Sequence, residues 1–406
     1  MAETLQLSRN TKVYIRDYDS SMAAASSQIW WEVPVLDGFA FSQATESTQI
    51  TLTEASDSTG RSRRGQLAFN TALAPVEWSL TTYVRPFKGA GGRTNTVGGF
   101  VENVAGFHHA VEEPLWAYLV MGKDEIFRAN TGVGPTTPGN TWGYTSNGVY
   151  SSTSSLNIDF ARSNKTALRT FDLIFAMSSA ASPDTVYTLN DACVNGVTLD
   201  FDIEGIAQLQ WSGFARNITH SSNLTVLTSN SANSITEGIN STNSFIRNRL
   251  STANISTFMR EFGSNGTIPK FYNVILTGGS INIDNGITYL TPEELAKVNI
   301  PLGHVTGTRS ITGTFTAYLD DDTSANSSGA LFRNMVANTT ASRNDFPITF
   351  SIGGATAPKV EFIIPDAHLE IPTHSVEDVI SVEVNFTALP TVISNTDEMT
   401  IKYYGV

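Results

Sequence analysis

The sequence predicts a mainly β protein of two tandem β-sandwich domains, each with a flanking short helix, and three observations carry that expectation. First, residues 197–212, VTLDFDIEGIAQLQWS, place Val197, Leu199, Phe201, Ile203, Ala207, Leu209 and Trp211 at odd positions. The even positions hold Thr198, Asp200, Asp202, Glu204, Gln208, Gln210 and Ser212, with Ile206 the exception. Successive strand side chains point to opposite faces, so a period of two builds a sheet with one apolar and one wet side. Second, charged residues are only 16% of the chain, against roughly 25% in an ordinary soluble domain. Ser, Thr, Asn and Gly, the residues of strands and turns, take their place. Third, the order of strand and helix signals in the first half recurs in the second.

In chain order, 9–16 (RNTKVYIR) reads as a first strand, followed by extended segments at 29–35 and 38–43, the latter alternating through Phe39 and Phe41. Alternation resumes at 49–53, with Ile50 and Leu52 inward. Residues 54–66 are polar, hold Arg61, Arg63 and Arg64, and read as a long exposed loop. The next strand, 76–84, sets Val76, Trp78, Leu80 and Val84 on one face, and 89–99 is Gly-rich. A helix is predicted over 114–121, PLWAYLVM. Pro114 suits a first-turn position there, and Leu115, Trp116, Leu119 and Val120 recur at helical spacing. Residues 129–166, poor in aliphatics, read as an elaborated loop region, and 171–177 is the strand that leads towards 197–212. Gly205 marks a turn, bulge or sharp bend within that last stretch.

The second half repeats the order. Arg9-Asn10 is echoed by Arg247-Asn248, Phe39-Ala40-Phe41 by Ile281-Asn282-Ile283, and SLTTYV at 79–84 by TFTAYL at 314–319. Trp116 and Leu119 correspond to Phe332 and Met335, and 171–175 to 346–350. Leu199-Asp200-Phe201 matches Leu369-Glu370-Ile371, while 379–387 stands where 206–214 stood. Each match alone is weak, but their shared order points to a duplicated unit. The expected division is a first domain at 1–216 with long loop insertions, a Ser/Asn/Thr-rich linker at 217–243, and a second domain at 244–406.

Bulk properties narrow the function classes. A formal net charge of −13 disfavours tight binding along nucleic acid, which needs clustered Lys and Arg. The single cysteine, Cys193, excludes an internal disulfide and a Cys-based metal cluster, and a small buried hydrophobe is its expected role. MAETLQLSRN lacks the basic-plus-apolar pattern of a secretion signal. No apolar run approaches the roughly 20 residues that span a membrane. Synthesis in a cytoplasm is therefore expected, and the sequon at Asn217 is read as chance.

Candidate chemistry is sparse. His108-His109 with Glu112 and Glu113 could be weighed as a metal site, but adjacent histidines rarely converge and no spaced ligands follow. Asp320-Asp321-Asp322 lacks the spacing and glycine of a calcium loop and reads as a solvated turn. Asp200, Asp202 and Glu204 could be weighed as a glycosidase pair, which needs carboxyls facing each other across a cleft. All three fall on one face of a predicted strand, which favours a flat acidic surface. No nucleophile elbow, phosphate loop or dinucleotide fingerprint occurs in the right context. Trp30, Trp31, Trp78, Trp116 and Trp211 read as core or subunit-interface anchors.

Several of these segments resemble the tail tube (major tail) proteins of long, flexible-tailed bacteriophages. In the first half they are RNTKVYI, GFAFSQ, the Arg-Arg-Gly stretch at 63–70, EWSLTTYV and DIEGIAQLQWSG. In the second half GGSINIDNGITYLTP, IPLGHVTG, ITGTFTAYLDD, and HLEIPT followed by EDVISVEVNFTALP resemble the subclass with a fused, duplicated subunit. The resemblance covers nearly the whole chain and its motifs are structural. It implies a β-sandwich with a flanking helix, whose inner strands join neighbours into a shared ring barrel. For the duplicated subclass it implies trimers whose six domains mimic a hexamer, stacked into a sheathless siphovirus tail tube, the conduit for DNA ejection. The partners it implies are the tail tip or baseplate, tape measure and tail terminator proteins, with no cofactor, metal, membrane or catalysis. Some relatives add an immunoglobulin-like domain, which this chain, ending at Val406, is expected to lack.

Site residues follow as expectations. If the wet face of 197–212 lines the tube, Asp200, Asp202, Glu204, Gln208, Gln210 and Glu370 face the lumen, and a negative wall repels passing DNA so that it slides. Ring stacking needs a second, heterologous contact, for which the 54–70 loop with Arg61, Arg63 and Arg64 is the candidate. The competing expectations are a phage or cell-surface receptor- or carbohydrate-binding β protein and, behind it, a carbohydrate-active enzyme.

Overall fold

The computed structural model of the protein describes residues 10–18, 28–50, 58–59, 67–89, 93–95, 100–102, 106–123, 149–160, 166–179, 182–222, 244–256, 271–291, 295, 300–320, 326–337, 345–371, 373–375, 380–393 and 395–406. Arg61, Arg63 and Arg64, and the predicted strand residues 51–53, lie outside them. The fold is mainly β with two short helices and a closed six-stranded barrel. The first half contains β1 (Thr11–Tyr18), β2 (Gln28–Val33), β3 (Ala40–Ile50), β4 (Leu67–Tyr83), β5 (Pro86–Lys88), β6 (Arg93–Asn95), β7 (Phe100–Glu102) and β8 (His108–Ala110). Helix α1 (Glu113–Val120), β9 (Val149–Ser151), β10 (Leu156–Asp159), β11 (Phe171–Ser179), β12 (Ser182–Asp202), β13 (Gln208–Ala215) and β14 (Asn217–Ser221) complete it. The second half contains β15 (Thr252–Ser256), β16 (Phe271–Asp284), β17 (Thr288–Leu290), β18 (Gly303–Val305), β19 (Ser310–Tyr318) and helix α2 (Ser328–Ala337). It ends with β20 (Asp345–Ile352), β21 (Lys359–Leu369), β22 (Thr373–Ser375), β23 (Ser381–Ala388) and β24 (Thr400–Tyr404).

Strand β12 organises the first half because it is long enough to serve two layers. Its N-terminal part pairs with β11 and β14, and its C-terminal part, from Cys193 on, pairs with β13 and β16. Asp191 at φ 51 and the bulge between Val194 and Gly196 mark the change of layer, as bulges do where a strand bends between sheets. The outer layer runs β2–β1–β11–β12–β14 and the inner layer β3–β4–β13–β12, all antiparallel. In the second half β15, β16, β19, β23, β21 and β20 pair in a closed circle. Phe350 sits at its centre, 6.1 Å from Phe315 and 5.5 Å from Phe386 between ring centroids.

Helix α1, the flanking helix of the first half, is buried on every side, so it is part of the core. Pro114 opens it, as its missing N–H suits a first turn. The Trp116 ring meets Trp211 edge-on at 4.9 Å, and its Nε1–H donates to the Tyr403 hydroxyl at 2.7 Å. That tyrosine belongs to β24, which pairs with β10 on one side and β21 on the other. A strand of the second half therefore closes over the core of the first. Both β9 and β10 fall inside 129–166, the region expected to be loop. Their apolar content is Val149, Leu156 and Ile158, too little to announce a strand, and β10 is held by β24 from far along the chain.

Candidate functional site

The inner layers of the two halves join edge to edge. β12 pairs with β16 from Gly196↔Asp284 to Asp202↔Gly278, so a single antiparallel run β3–β4–β13–β12–β16–β19–β23–β21 crosses the molecule. One side of this run is core: Trp78, Leu80, Leu199, Trp211, Ile281, Phe315 and Val384 are buried. The other side is wet. Glu77, Asp200, Asp202, Glu370 and Glu383 are exposed on it and Asp284 half-exposed. The sequences of β3, β4, β12, β13, β16, β19 and β23 contain no Lys or Arg. The one cation of β21, Lys359, sits at that strand's far end, with its Nζ 4.6 Å from the Tyr404 ring centroid.

Strand register brings side chains from separate strands into rows across this face. Gln208 lies opposite Asp200, Asp200 opposite Ser280, Ser280 opposite Thr314, and Thr314 opposite Asn385. Short polar bonds tie the rows together: Gln210 Nε2 donates to Asp200 at 3.2 Å, Thr198 Oγ1 to Asn282 Oδ1 at 2.9 Å, and Asn385 Nδ2 to Glu370 at 2.9 Å. Amides thus hold the Asp200 and Glu370 carboxylates, and no ion pair among the described residues neutralises them.

Of the six residues expected on this surface, Asp200, Asp202, Gln208, Gln210 and Glu370 stand on the wet face of the run. Glu204 stands beside it, in the exposed bend after β12, where its N–H donates to Asp202 Oδ1 at 3.1 Å. β12 ends at Asp202, so Ile203, expected inward, is 45% exposed. Gly205, at φ +97, makes the bend possible, since that backbone conformation is strained for any residue with a Cβ. Next to it lies an open trough of about 670 Å³ lined by Asp200, Asp202, Glu204, Gln210, Gly278 and Gly279. Its carboxylates share one side, which is unlike the opposed pair of a glycoside hydrolase.

Glu77, Asp284 and Glu383 were the acidic positions that sequence reasoning missed, although each occupies the polar phase of an alternating strand. The reach of β16 across to β12 was not readable, because it joins segments about eighty residues apart in the chain. Register also moves two of the sequence correspondences. Trp78 lies opposite Gly213, and Gly313 opposite Phe386, so these pairs form the same row in the two halves. Phe41 pairs with Trp78 and Ile281 with Gly313, which makes Phe41, not Phe39, the counterpart of Ile281. On the same basis Leu369, opposite Phe386, is the counterpart of Val194, opposite Gly213, and not of Leu199.

The histidine pair is spent on packing. His109 Nδ1 lies 3.1 Å from Glu113 Oε2, and His108 Nδ1 accepts the Gly405 N–H at 2.8 Å. Burial lowers the pKa of His108. Nearby, both Glu112 oxygens accept the Arg85 N–H at 3.2–3.3 Å, and burial pushes the Glu112 carboxyl up to about 7. No grouping of three or more His, Cys, Asp or Glu that could hold a metal occurs among the described residues. Cys193 is buried, and burial raises its thiol to about 12.

No family model matches the chain. It is 27% identical over 405 residues to the tail tube protein pb6 of Escherichia phage T5, an alignment that takes in 97% of this chain and 75% of that protein. The resemblance to phage tail tube proteins first carried by the sequence motifs therefore extends, with a relative of that name, along nearly the whole chain.

Proposed function

We propose that the protein is a structural virion subunit, without catalytic activity, that polymerises as stacked rings into a phage tail tube and conducts DNA through it. The observation that carries this reading is the eight-stranded run across both halves, with its acidic face. A sheet that long, left open, exposes edges that invite association, and closing it in a ring removes them. Two tandem tube domains, expected at 1–216 and 244–406 with 217–243 between them, supply four inner strands each, and the first reaches on through β14 at 217–221. Three copies then supply twenty-four strands; at about 4.8 Å per strand their backbone circle is roughly 37 Å across before tilt widens it. That leaves an open lumen for a duplex. Asp200, Asp202, Glu204, Gln208, Gln210 and Glu370 face it, and like charge keeps DNA from adhering.

The rings are trimers with pseudo-hexameric symmetry. They stack through the expected 54–70 loop, of which 67–70 stand in β4, and take the tail tip, tape measure and terminator proteins as partners, with the virion tail as the final location. Negative-stain electron microscopy of the purified chain tests the reading. Rings or hollow filaments of uniform width are expected, and a monodisperse monomer at high concentration would overturn it.

A further inference from the structure

Each half of the inner run has one strand edge taken by the other half and one edge left bare within the chain. Among the described residues the bare edges are β3 at one end of the run, which pairs with β4 alone, and at the other end β22, which pairs with β23 alone, along the stretch of β23 next to the one β21 takes. The junction between the halves supplies the template for joining them. There, Thr198 lies opposite Asn282, Leu199 opposite Ile281, and Asp200 opposite Ser280.

The rows translate that junction into residues of the bare edges. Trp78 and Gly313 occupy equivalent positions, as do Gly213 and Phe386, because in each pair an aromatic ring fills the space a glycine leaves. A Cβ on Gly213 would stand 2.5 Å from the Trp78 ring, and one on Gly313 would stand 2.5 Å from the Phe386 ring. With these rows superposed, Phe41 takes the place of Ile281, so Ser42 takes that of Asn282 and Ala40 that of Ser280. On the other edge Thr198 faces Gln210 and Thr373 faces Glu383, and Gln210 and Glu383 are themselves equivalent through Thr81 and Thr316. Thr373 therefore takes the place of Thr198, His374 that of Leu199, and Ser375 that of Asp200.

We infer that β22 of one copy pairs antiparallel with β3 of the next in one register, Thr373 opposite Ser42, His374 opposite Phe41 and Ser375 opposite Ala40. The occupant of each bare edge is a second copy of this chain, bound as the two halves already bind each other. The contact is head-to-tail, so it propagates around a ring and leaves no edge when it closes. This rests on the proposed tube function and adds which residues meet, and in what order.

Paired cysteines test it. Chains carrying Ser42→Cys with Thr373→Cys, or independently Ala40→Cys with Ser375→Cys, are assembled and oxidised with copper phenanthroline. In both cases the monomer band is lost into a ladder that ends at one closed covalent oligomer. Each single substitution gives no ladder. Glu46→Cys with Thr373→Cys also gives none, because four residues of offset place the thiols about 13 Å apart along the strand. Two register-matched pairs guard against one variant failing to assemble. Rings without cross-linking in either matched pair, or a ladder in the offset pair, would overturn the register and leave the tube reading standing. Failure of the unsubstituted chain to form rings at all would overturn both.

Discussion

At the scale of single residues, Glu112 ties stability to pH. Its carboxyl is buried, and desolvation raises its pKa to about 7 from an ordinary 4.5. A folded-state pKa above the unfolded one means that this group's contribution is fully present below about 4.5 and is lost as pH rises through 7. At about 1.4 kcal/mol per pKa unit, the loss amounts to roughly 3 kcal/mol. Glu112→Gln is expected to flatten this slope, matching the parent near pH 4.5 and melting higher above pH 7. Thermal unfolding followed across that range checks it; a steeper slope in the variant would contradict the assignment. Gly213 makes the opposite case, where a small change is costly. Gly213→Ala places its methyl against the Trp78 ring and the Cys193 carbonyl. Overpacking of this kind costs about 1–3 kcal/mol, to be read as a lower midpoint in urea unfolding. In the sequence Gly213 is simply the residue after the alternating stretch 197–212. That it receives an indole from the neighbouring strand depends on register, which no local pattern contains.

At the scale of elements, legibility followed chain distance. Strands β1, β2 and β11, the 76–83 part of β4 and helix α1 were readable because their alternation or helical spacing is local, whereas 67–70, expected in a loop, open β4 beside β3. β9, β10 and β24 were not, because short strands with few apolar residues are stabilised by partners far away in sequence. The acidic face was half legible: alternation gave 197–212, but its continuation through Asp284 and Glu383 needed the pairing of β12 with β16 and of β19 with β23. Two predictions belong to this scale. Asp200→Lys with Asp202→Lys leaves both side chains exposed and costs little stability, yet it should convert a repelling wall to an adhesive one. Tubes of the variant are expected to retain duplex DNA at low salt and release it as salt rises; equal retention by parent and variant would count against lumen exposure. Reversing Arg61, Arg63 and Arg64 together to Glu is expected to yield soluble rings that do not elongate. Filaments of normal length under the electron microscope would remove that loop from the stacking contact.

At the scale of the whole molecule, two strand pairings stand out among the contacts between the halves, β12 with β16 and β24 with β10 while it also pairs with β21. Tyr403 joins the second of these to helix α1 by accepting from Trp116. Tyr403→Phe strands that buried indole N–H, an omission worth about 1–3 kcal/mol. It should lower the midpoint of unfolding while leaving any rings unchanged in diameter. A change of diameter at unchanged stability would show instead that this strand sets the angle between halves.

The position of β24 in the chain has a temporal consequence. Every strand it touches leaves the ribosome before it does, so a partly translated polypeptide carries both halves without the strand that bridges β10 and β21. Pairings between remote segments form slowly in any case. Until residues 400–404 have been made and have threaded home, β10 and β21 wait without the strand that pairs with both.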